Sequence, residues 1–148
     1  MTAADIPKSL RELVRTRAEH RCEYCQTSEW LSGIKCDIDH IIPRAGDGPT
    51  TEENLCLACP SCNGHKQAKT HAVDPESGEE VSLFHPRRQH WPDHFAWSED
   101  GTRLTGLTAC GRATIEALKL NHPLIVAARA IWASIGRHPP PGYQASSE

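Results

Sequence analysis

The stretch KCDIDHIIPRAGDG, residues 35–48, joins the apolar residues of a buried strand to two adjacent ionisable side chains, Asp39 and His40. Burying either charge without a partner costs on the order of several kcal/mol. A strand in a hydrophobic core therefore has little use for such a pair. The pair therefore predicts that this strand contributes functional side chains to a site, and the flanking sequence indicates the kind of site.

Two Cys-x-x-Cys pairs flank this stretch, CEYC at residues 22–25 and CPSC at residues 59–62. Paired thiols at this spacing are typical of a tetrahedral zinc site, and the alternatives are a redox motif or incidental core cysteines. Two matching pairs favour zinc. A site of four thiolates leaves no position for water, so the ion is predicted to be structural. The predicted ligands of Zn²⁺ are Cys22, Cys25, Cys59 and Cys62.

The segment between the two cysteine pairs, residues 26–58, is far longer than the ~15–20 residues of a simple zinc ribbon. This segment contains Asp39, a hard oxygen donor suited to Mg²⁺ or Mn²⁺. It also contains His40, whose ordinary pKa of about 6.5 suits a base near neutral pH. Asn63, directly after the fourth cysteine, offers a second hard oxygen. An isolated Asp-His pair is usually a surface ion pair, but its place between the cysteine pairs favours a metal ligand beside a base.

The motifs CEYC, IDHIIPRAGDGPTTEENL and CPSCNGHK together resemble the HNH (ββα-metal) endonuclease family, in its branch with a four-cysteine zinc. The resemblance covers residues 21–69. It implies that Asp39 and Asn63 bind the catalytic divalent ion and that His40 is the general base. It also implies that Asn54 holds the loop between the strands so that the histidine is oriented. The last position of the family motif is often histidine, so His65 is a second candidate for the ligand assigned to Asn63.

Side-chain alternation raises a question about the pair, because adjacent residues of a regular strand point to opposite faces. We therefore expect a bend or bulge near Pro43 that brings Asp39 and His40 towards one phosphate. The basic residues near the site are candidates for phosphate contact, although a solvated face is an equally good interpretation of each. These residues are Arg44, Lys66 and Lys69.

The pattern along the chain predicts an α+β fold with a zinc-stapled ββα core. Residues 1–72 form the core with an N-terminal helix, in which Leu10, Leu13 and Val14 share one face. Residues 73–141 form an extension of short antiparallel strands and two helices, with a hairpin at Asp100-Gly101. We expect this extension to pack on the core through its tryptophans, and residues 142–148 to be a disordered tail.

Composition sets broader limits. The 148 residues carry a formal net charge of -3, which argues weakly against a broad surface that coats nucleic acid but does not exclude a local basic groove. No apolar run approaches the ~20 residues of a membrane span. The start of the sequence lacks the apolar core of a signal peptide, so we expect the cytoplasm.

Together these features predict a metal-dependent endonuclease that hydrolyses phosphodiester bonds of DNA. The alternative is a non-catalytic zinc module that binds nucleic acid or protein. Asp39, His40, Asn54 and Asn63 speak against that alternative, because a binding module needs none of them. RNA is not excluded as the substrate, since hydrolysis aimed at a phosphate does not need to read the sugar.

Overall fold

A computed structural model of the chain describes residues 6–141. It confirms the α+β class: short helices and antiparallel strand pairs alternate along the chain. The described residues form two compact units, one of residues 6–70 and 85–88, the other of residues 71–84 and 89–141. The predicted packing of the C-terminal extension on the core stays a prediction. The predicted tail, residues 142–148, lies outside the described residues.

The first unit has the ββα order that was predicted for the core. An N-terminal helix and a single helical turn precede the two strands, and a third helix follows them. The elements are α1 (Lys8–Arg17), α2 (Glu29–Ser32), β1 (Asp37–His40), β2 (Leu55–Ala58) and α3 (Pro60–Lys66).

Strand β2 is the centre of this unit, since all four of its residues are buried. Helix α1 buries Val14, and the guanidinium of Arg17 donates to the carbonyl of Leu55 at 2.6 Å. The turn that carries the first cysteine pair is fixed to the same strand, because the amide of Leu57 donates to a carboxylate oxygen of Glu23 at 2.8 Å. Strand β2 therefore positions both cysteine pairs, one beside it and the other directly after it.

The pairing of β1 with β2 is antiparallel and regular from Asp37, opposite Ala58, to His40, opposite Leu55. There is thus no bulge within this ladder, and Asp39 and His40 keep opposite faces. A 3-10 helix (Arg44–Gly46) does bend the chain after Pro43, but it follows the pair and leaves the two side chains on opposite faces. That the bend brings both towards one phosphate stays a prediction. Gly48 is required in this loop, since a Cβ atom there would lie 1.7 Å from the carbonyl oxygen of Ile42.

In the second unit, the described residues form two strand pairs and three helices. Its elements are β3 (His71–Val73), β4 (Glu80–Ser82), α4 (Trp91–His94), β5 (Phe95–Trp97), β6 (Leu104–Gly106), α5 (Ala109–Leu118) and α6 (Pro123–Ser134). The hairpin predicted at Asp100-Gly101 is present as the pair β5–β6. Strands β3 and β4 form a second hairpin, whose turn spans residues 74–79.

Asp74 holds that turn closed. Its carboxylate accepts from the amides of Glu76 and Ser77 and forms a bidentate pair with the guanidinium of Arg112, both bonds at 3.0 Å. An aromatic cluster of Phe84, Trp91, Phe95 and Trp97 fills the interior of the unit. Trp91 and Trp97 are therefore core residues of this unit.

One helical face of this unit is exposed. Leu124 and Ile131 of α6, and Ile135 directly after it, are each more than half exposed. Within residues 6–141, none of the helices has the length and apolar character needed to cross a membrane.

Candidate active site

The two cysteine pairs meet in the first unit. The sulfur atoms of Cys22, Cys25, Cys59 and Cys62 all lie within 4.8 Å of one another, and those of Cys25 and Cys59 are 3.8 Å apart. In each pair the amide of the second cysteine points at the sulfur of the first, at 3.5 Å and 3.4 Å. Such amide contacts stabilise thiolates, and the cluster can hold one tetrahedral metal ion.

Burial makes this cluster depend on a cation. Desolvation raises the pKa of the Cys22 thiol, whereas hydrogen bonds from Cys22 and the other two thiols lower the pKa of Cys25. Hydrogen bonds from the other three thiols, and then burial, also raise the pKa of Cys62, so the cluster disfavours a full set of thiolates without a cation. A divalent ion would compensate several thiolates at once, so the donor set fits Zn²⁺.

Asp39 lies on the buried face of β1, in contact with α3. Its Oδ2 atom is 3.2 Å from the ammonium nitrogen of Lys66 and accepts a hydrogen bond from the hydroxyl of Tyr24 at 3.2 Å. Lys66 also donates to the carbonyl of His40 at 3.1 Å. Burial raises the pKa of the Asp39 carboxyl above its ordinary value, although the charge of Lys66 acts in the opposite direction.

His40 faces the loop that joins the two strands. Its Nε2 atom lies 2.9 Å from the hydroxyl oxygen of Thr50. Partial burial, followed by the positive charge of Arg44, lowers the pKa of His40 below its ordinary value. The neutral imidazole, which is the form that accepts a proton, is therefore favoured at neutral pH.

Asn54 ties the loop to the end of β1. Its carbonyl oxygen accepts from the amide of Ile42, and its amide group donates to the carbonyls of Ile42 and Pro49, each at 2.9 Å. The side chain is only 4% exposed. Asn54 thus joins Ile42 to Pro49, the two ends of the loop segment between His40 and Thr50.

Helix α3 directs Asn63 towards β1. The Asn63 amide donates to Oδ2 of Asp37 at 3.3 Å, which leaves its carbonyl oxygen as the remaining donor atom for a cation. His65 instead forms a hydrogen bond between its Nδ1 atom and the carbonyl of Ser61, 2.8 Å away in the same helix. Of the two candidate ligands, Asn63 is the one in contact with the strand that carries Asp39.

The three predicted phosphate-binding residues differ in position. Arg44 and Lys69 are exposed, and the ammonium of Lys69 donates to the carbonyl of His65 at 3.0 Å. Lys66 is 1% exposed and holds Asp39.

Sequence reasoning missed four residues that surround the pair: Tyr24, Asp37, Thr50 and Cys56. The alternation of side chains along a strand could have identified one of them, Asp37. Asp37 stands two residues before Asp39 in the strand, so the two carboxylates share a face. The other three are brought to the site by tertiary contacts that leave no pattern in the sequence.

Comparison with known proteins agrees with this geometry. Residues 22–69 match the family model described as HNH endonuclease, and they therefore form a domain of the HNH endonuclease family, as the motifs predicted. A CRISPR-associated endonuclease Cas9 from Corynebacterium diphtheriae is 31% identical over 105 residues, which cover 68% of this chain and 9% of that protein. No solved structure gives a significant match to the chain.

Proposed function

We propose that this chain is an endonuclease that hydrolyses phosphodiester bonds of DNA, with a divalent metal ion and His40 as the general base. The observation that carries the proposal is the placement of Asp39 and His40 at the end of β1. Asp39 lies against α3, and His40 lies against a loop closed by Asn54. The name of the Cas9 relative, an endonuclease, supports nucleic acid as the substrate class.

The donor set beside Asp39 fits a hard divalent cation. Asp37 and Asp39 share one face of β1, and Asn63 approaches that face from α3. Carboxylate and amide oxygens are the ligands that Mg²⁺ and Mn²⁺ prefer. We propose that Asp39 and Asn63 hold the ion. When bound, such an ion supplies stabilisation of the negative charge that develops on the phosphate and the leaving oxygen.

His40 supplies the proton acceptor in this proposal. Its imidazole takes a proton from a water molecule as that water attacks the phosphorus atom in line with the departing 3′-oxygen. The hydroxyl of Thr50, 2.9 Å from Nε2, fixes the ring orientation. Asn54 acts on the base indirectly, because its three hydrogen bonds hold the loop that carries Thr50.

Contacts with the phosphate backbone are proposed for Arg44, Lys66 and Lys69. The exposed Arg44 and Lys69 can reach a phosphate directly. Lys66 would reach one only by leaving Asp39, which makes its contact conditional on a cation taking its place. We expect the protein to act in the cytoplasm and its zinc to be structural.

A cleavage assay tests the proposal. The purified chain is incubated with supercoiled plasmid and Mg²⁺ or Mn²⁺, and nicked and linear products are counted with and without chelator. Parallel reactions contain single-stranded DNA, branched DNA and RNA. Divalent-dependent cleavage of DNA is the expected result. Binding without cleavage of any nucleic acid would favour the alternative function, a non-catalytic zinc module, and faster cleavage of RNA would replace the proposed substrate.

A further inference from the structure

A groove of about 580 Å³ lies between α1 and the segment that enters β1, within the first unit. The residues that line it include Lys8, Arg11, Arg15, Lys35 and Asp37. Asp37 connects the groove to the candidate active site, since its carboxylate accepts a hydrogen bond from Asn63 and it stands two residues before Asp39. Asp37 thus borders both the groove and the residue proposed to hold the catalytic ion, Asn63.

The charge of the groove is opposite to that of the whole chain. Its lining has four Lys and Arg side chains and two carboxylates, those of Glu12 and Asp37, whereas the chain has a formal net charge of -3. Cations concentrated in a cleft of a net-negative protein indicate an anionic ligand.

The cations do not all have the same role. Arg15 already has protein partners at the wall of the groove, because it pairs with Glu29 and donates to the carbonyl of Cys36 at 3.2 Å. We therefore assign it a structural role and no phosphate. Lys35 is exposed. Lys8 is 3.7 Å from Glu12, but the two side chains are 81% and 65% exposed. An ion pair of that exposure is worth little, so Lys8 can exchange its partner for a phosphate.

Two cations of the groove share one side of α1. Lys8 and Arg11 occupy positions i and i+3 of the helix, about 4.5 Å apart along its axis. Lys35 lines the same groove from the segment that enters β1. A phosphate chain in the groove can therefore meet cations from both of the segments that form it.

We infer that this groove binds the sugar–phosphate backbone of a nucleic acid and leads the strand to the candidate active site. The backbone is the part of the nucleic acid that the cations Lys8, Arg11 and Lys35 recognise, since Lys and Arg side chains bind phosphates. The inference rests on the proposed function in one respect: the strand that enters the groove is the substrate of cleavage.

Salt-dependent binding tests the groove without relying on cleavage. The probe is a fluorescently labelled 20-base-pair duplex DNA, and its affinity is measured by anisotropy between 50 and 200 mM NaCl. His40→Ala is present throughout, so that the probe stays intact. The groove variant carries Lys8→Gln, Arg11→Gln and Lys35→Gln. Each lost phosphate contact reduces the slope of log affinity against log salt by about 0.9, so we expect the slope to fall by about 2–3 and affinity to fall at least tenfold at 50 mM.

The matched control removes the same three charges from exposed positions of the second unit. It carries Arg103→Gln, Lys119→Asn and Arg137→Gln, with asparagine chosen for position 119 because that residue has a left-handed backbone. The control is expected to keep the parent slope, and Lys8→Arg with Lys35→Arg is expected to keep it too. Equal slopes for the groove variant and the control would overturn the inference.

The outcome is separable from that of the proposed function. A chain that shows the groove-dependent slope but cleaves nothing retains the groove as a binding surface and refutes the nuclease. A chain that cleaves DNA while the groove variant binds with the parent slope refutes the groove alone.

Discussion

The ammonium nitrogen of Lys66 lies 3.2 Å from a carboxylate oxygen of Asp39, and the two side chains are 2% and 7% exposed. The same ammonium donates to the backbone carbonyl of His40. One lysine of α3 therefore contacts both residues of the Asp-His pair, the first through its side chain and the second through its backbone. This buried contact fixes the end of β1 against α3, where the predicted base and metal ligand must be held.

We predict that Lys66→Met destabilises the protein by about 3–5 kcal/mol, the usual cost of leaving one member of a buried ion pair without its partner. Urea unfolding at constant zinc concentration measures the change. The double variant Asp39→Asn with Lys66→Met removes both charges and should recover a large part of the loss. Wild-type stability of Lys66→Met would mean that the contact contributes nothing to folding.

Metal analysis of the purified chain should give about one zinc ion per molecule. Cys62→Ser should lower both the zinc content and the thermal stability, because metal binding contributes to the folding free energy. Cys110→Ser is the matched control, since Cys110 lies outside the four-thiol cluster and contacts Gln89. Equal zinc content in the two variants would refute the assignment of the ligands.

Asn54→Ala should destabilise the core by about 2–4 kcal/mol, because three part-buried hydrogen bonds to the backbone of Ile42 and Pro49 are lost, each worth about 0.5–1.5 kcal/mol. Cleavage should also fall, since the loop that contacts His40 through Thr50 is released. Thr51→Ala, an exposed position in the same loop, is the control. If Asn54→Ala cleaved and unfolded like Thr51→Ala, the proposed orienting role would be lost.

Acid should weaken the second unit through Asp74. Hydrogen bonds from Arg112 hold the pKa of the Asp74 carboxyl far below its ordinary value of about 3.9. A depressed folded-state pKa contributes stability that is fully present above the unfolded pKa and is lost as pH falls through the folded value.

The Asp74→Asn variant should therefore be less stable than wild type at pH 7. The difference between the two proteins should shrink as pH falls below about 4, the range in which the unfolded carboxyl becomes protonated. Tryptophan fluorescence during urea unfolding follows this unit through Trp91 and Trp97. Glu116→Gln, which removes an exposed carboxylate of α5, controls for net charge. A difference that stayed constant from pH 7 to pH 3 would contradict the linkage.

Much of this fold was predictable from local patterns. The cysteine pairs carry a fixed spacing, Asp100-Gly101 is a strong turn signal, and the apolar periodicity of α1 gives Val14 as its buried residue. These features depend on residues close together in the chain. The HNH motifs were also local, and the family match over residues 22–69 confirms them.

The contacts around the Asp-His pair were not predictable in the same way. Nothing in the local sequence pattern distinguishes Lys66 from a surface lysine. It is buried because α3 packs against β1 and places the ammonium of Lys66 beside the carboxylate of Asp39. Strand β3 was missed because His71–Val73 is short and only its pairing with β4 gives it strand geometry. Both features depend on tertiary contacts between segments distant in sequence, which no periodicity encodes.

The most direct measurement is the cleavage rate of His40→Ala on plasmid DNA with saturating Mg²⁺ or Mn²⁺, beside that of the wild-type protein. His40 contacts Thr50 but not the four-thiol cluster, so zinc content and thermal stability should change little. The rate should fall by about 10²–10⁴-fold, the usual contribution of a general base. Excess metal should not restore it, because the missing function is proton transfer. Cleavage by His40→Ala at the wild-type rate would contradict the proposed mechanism.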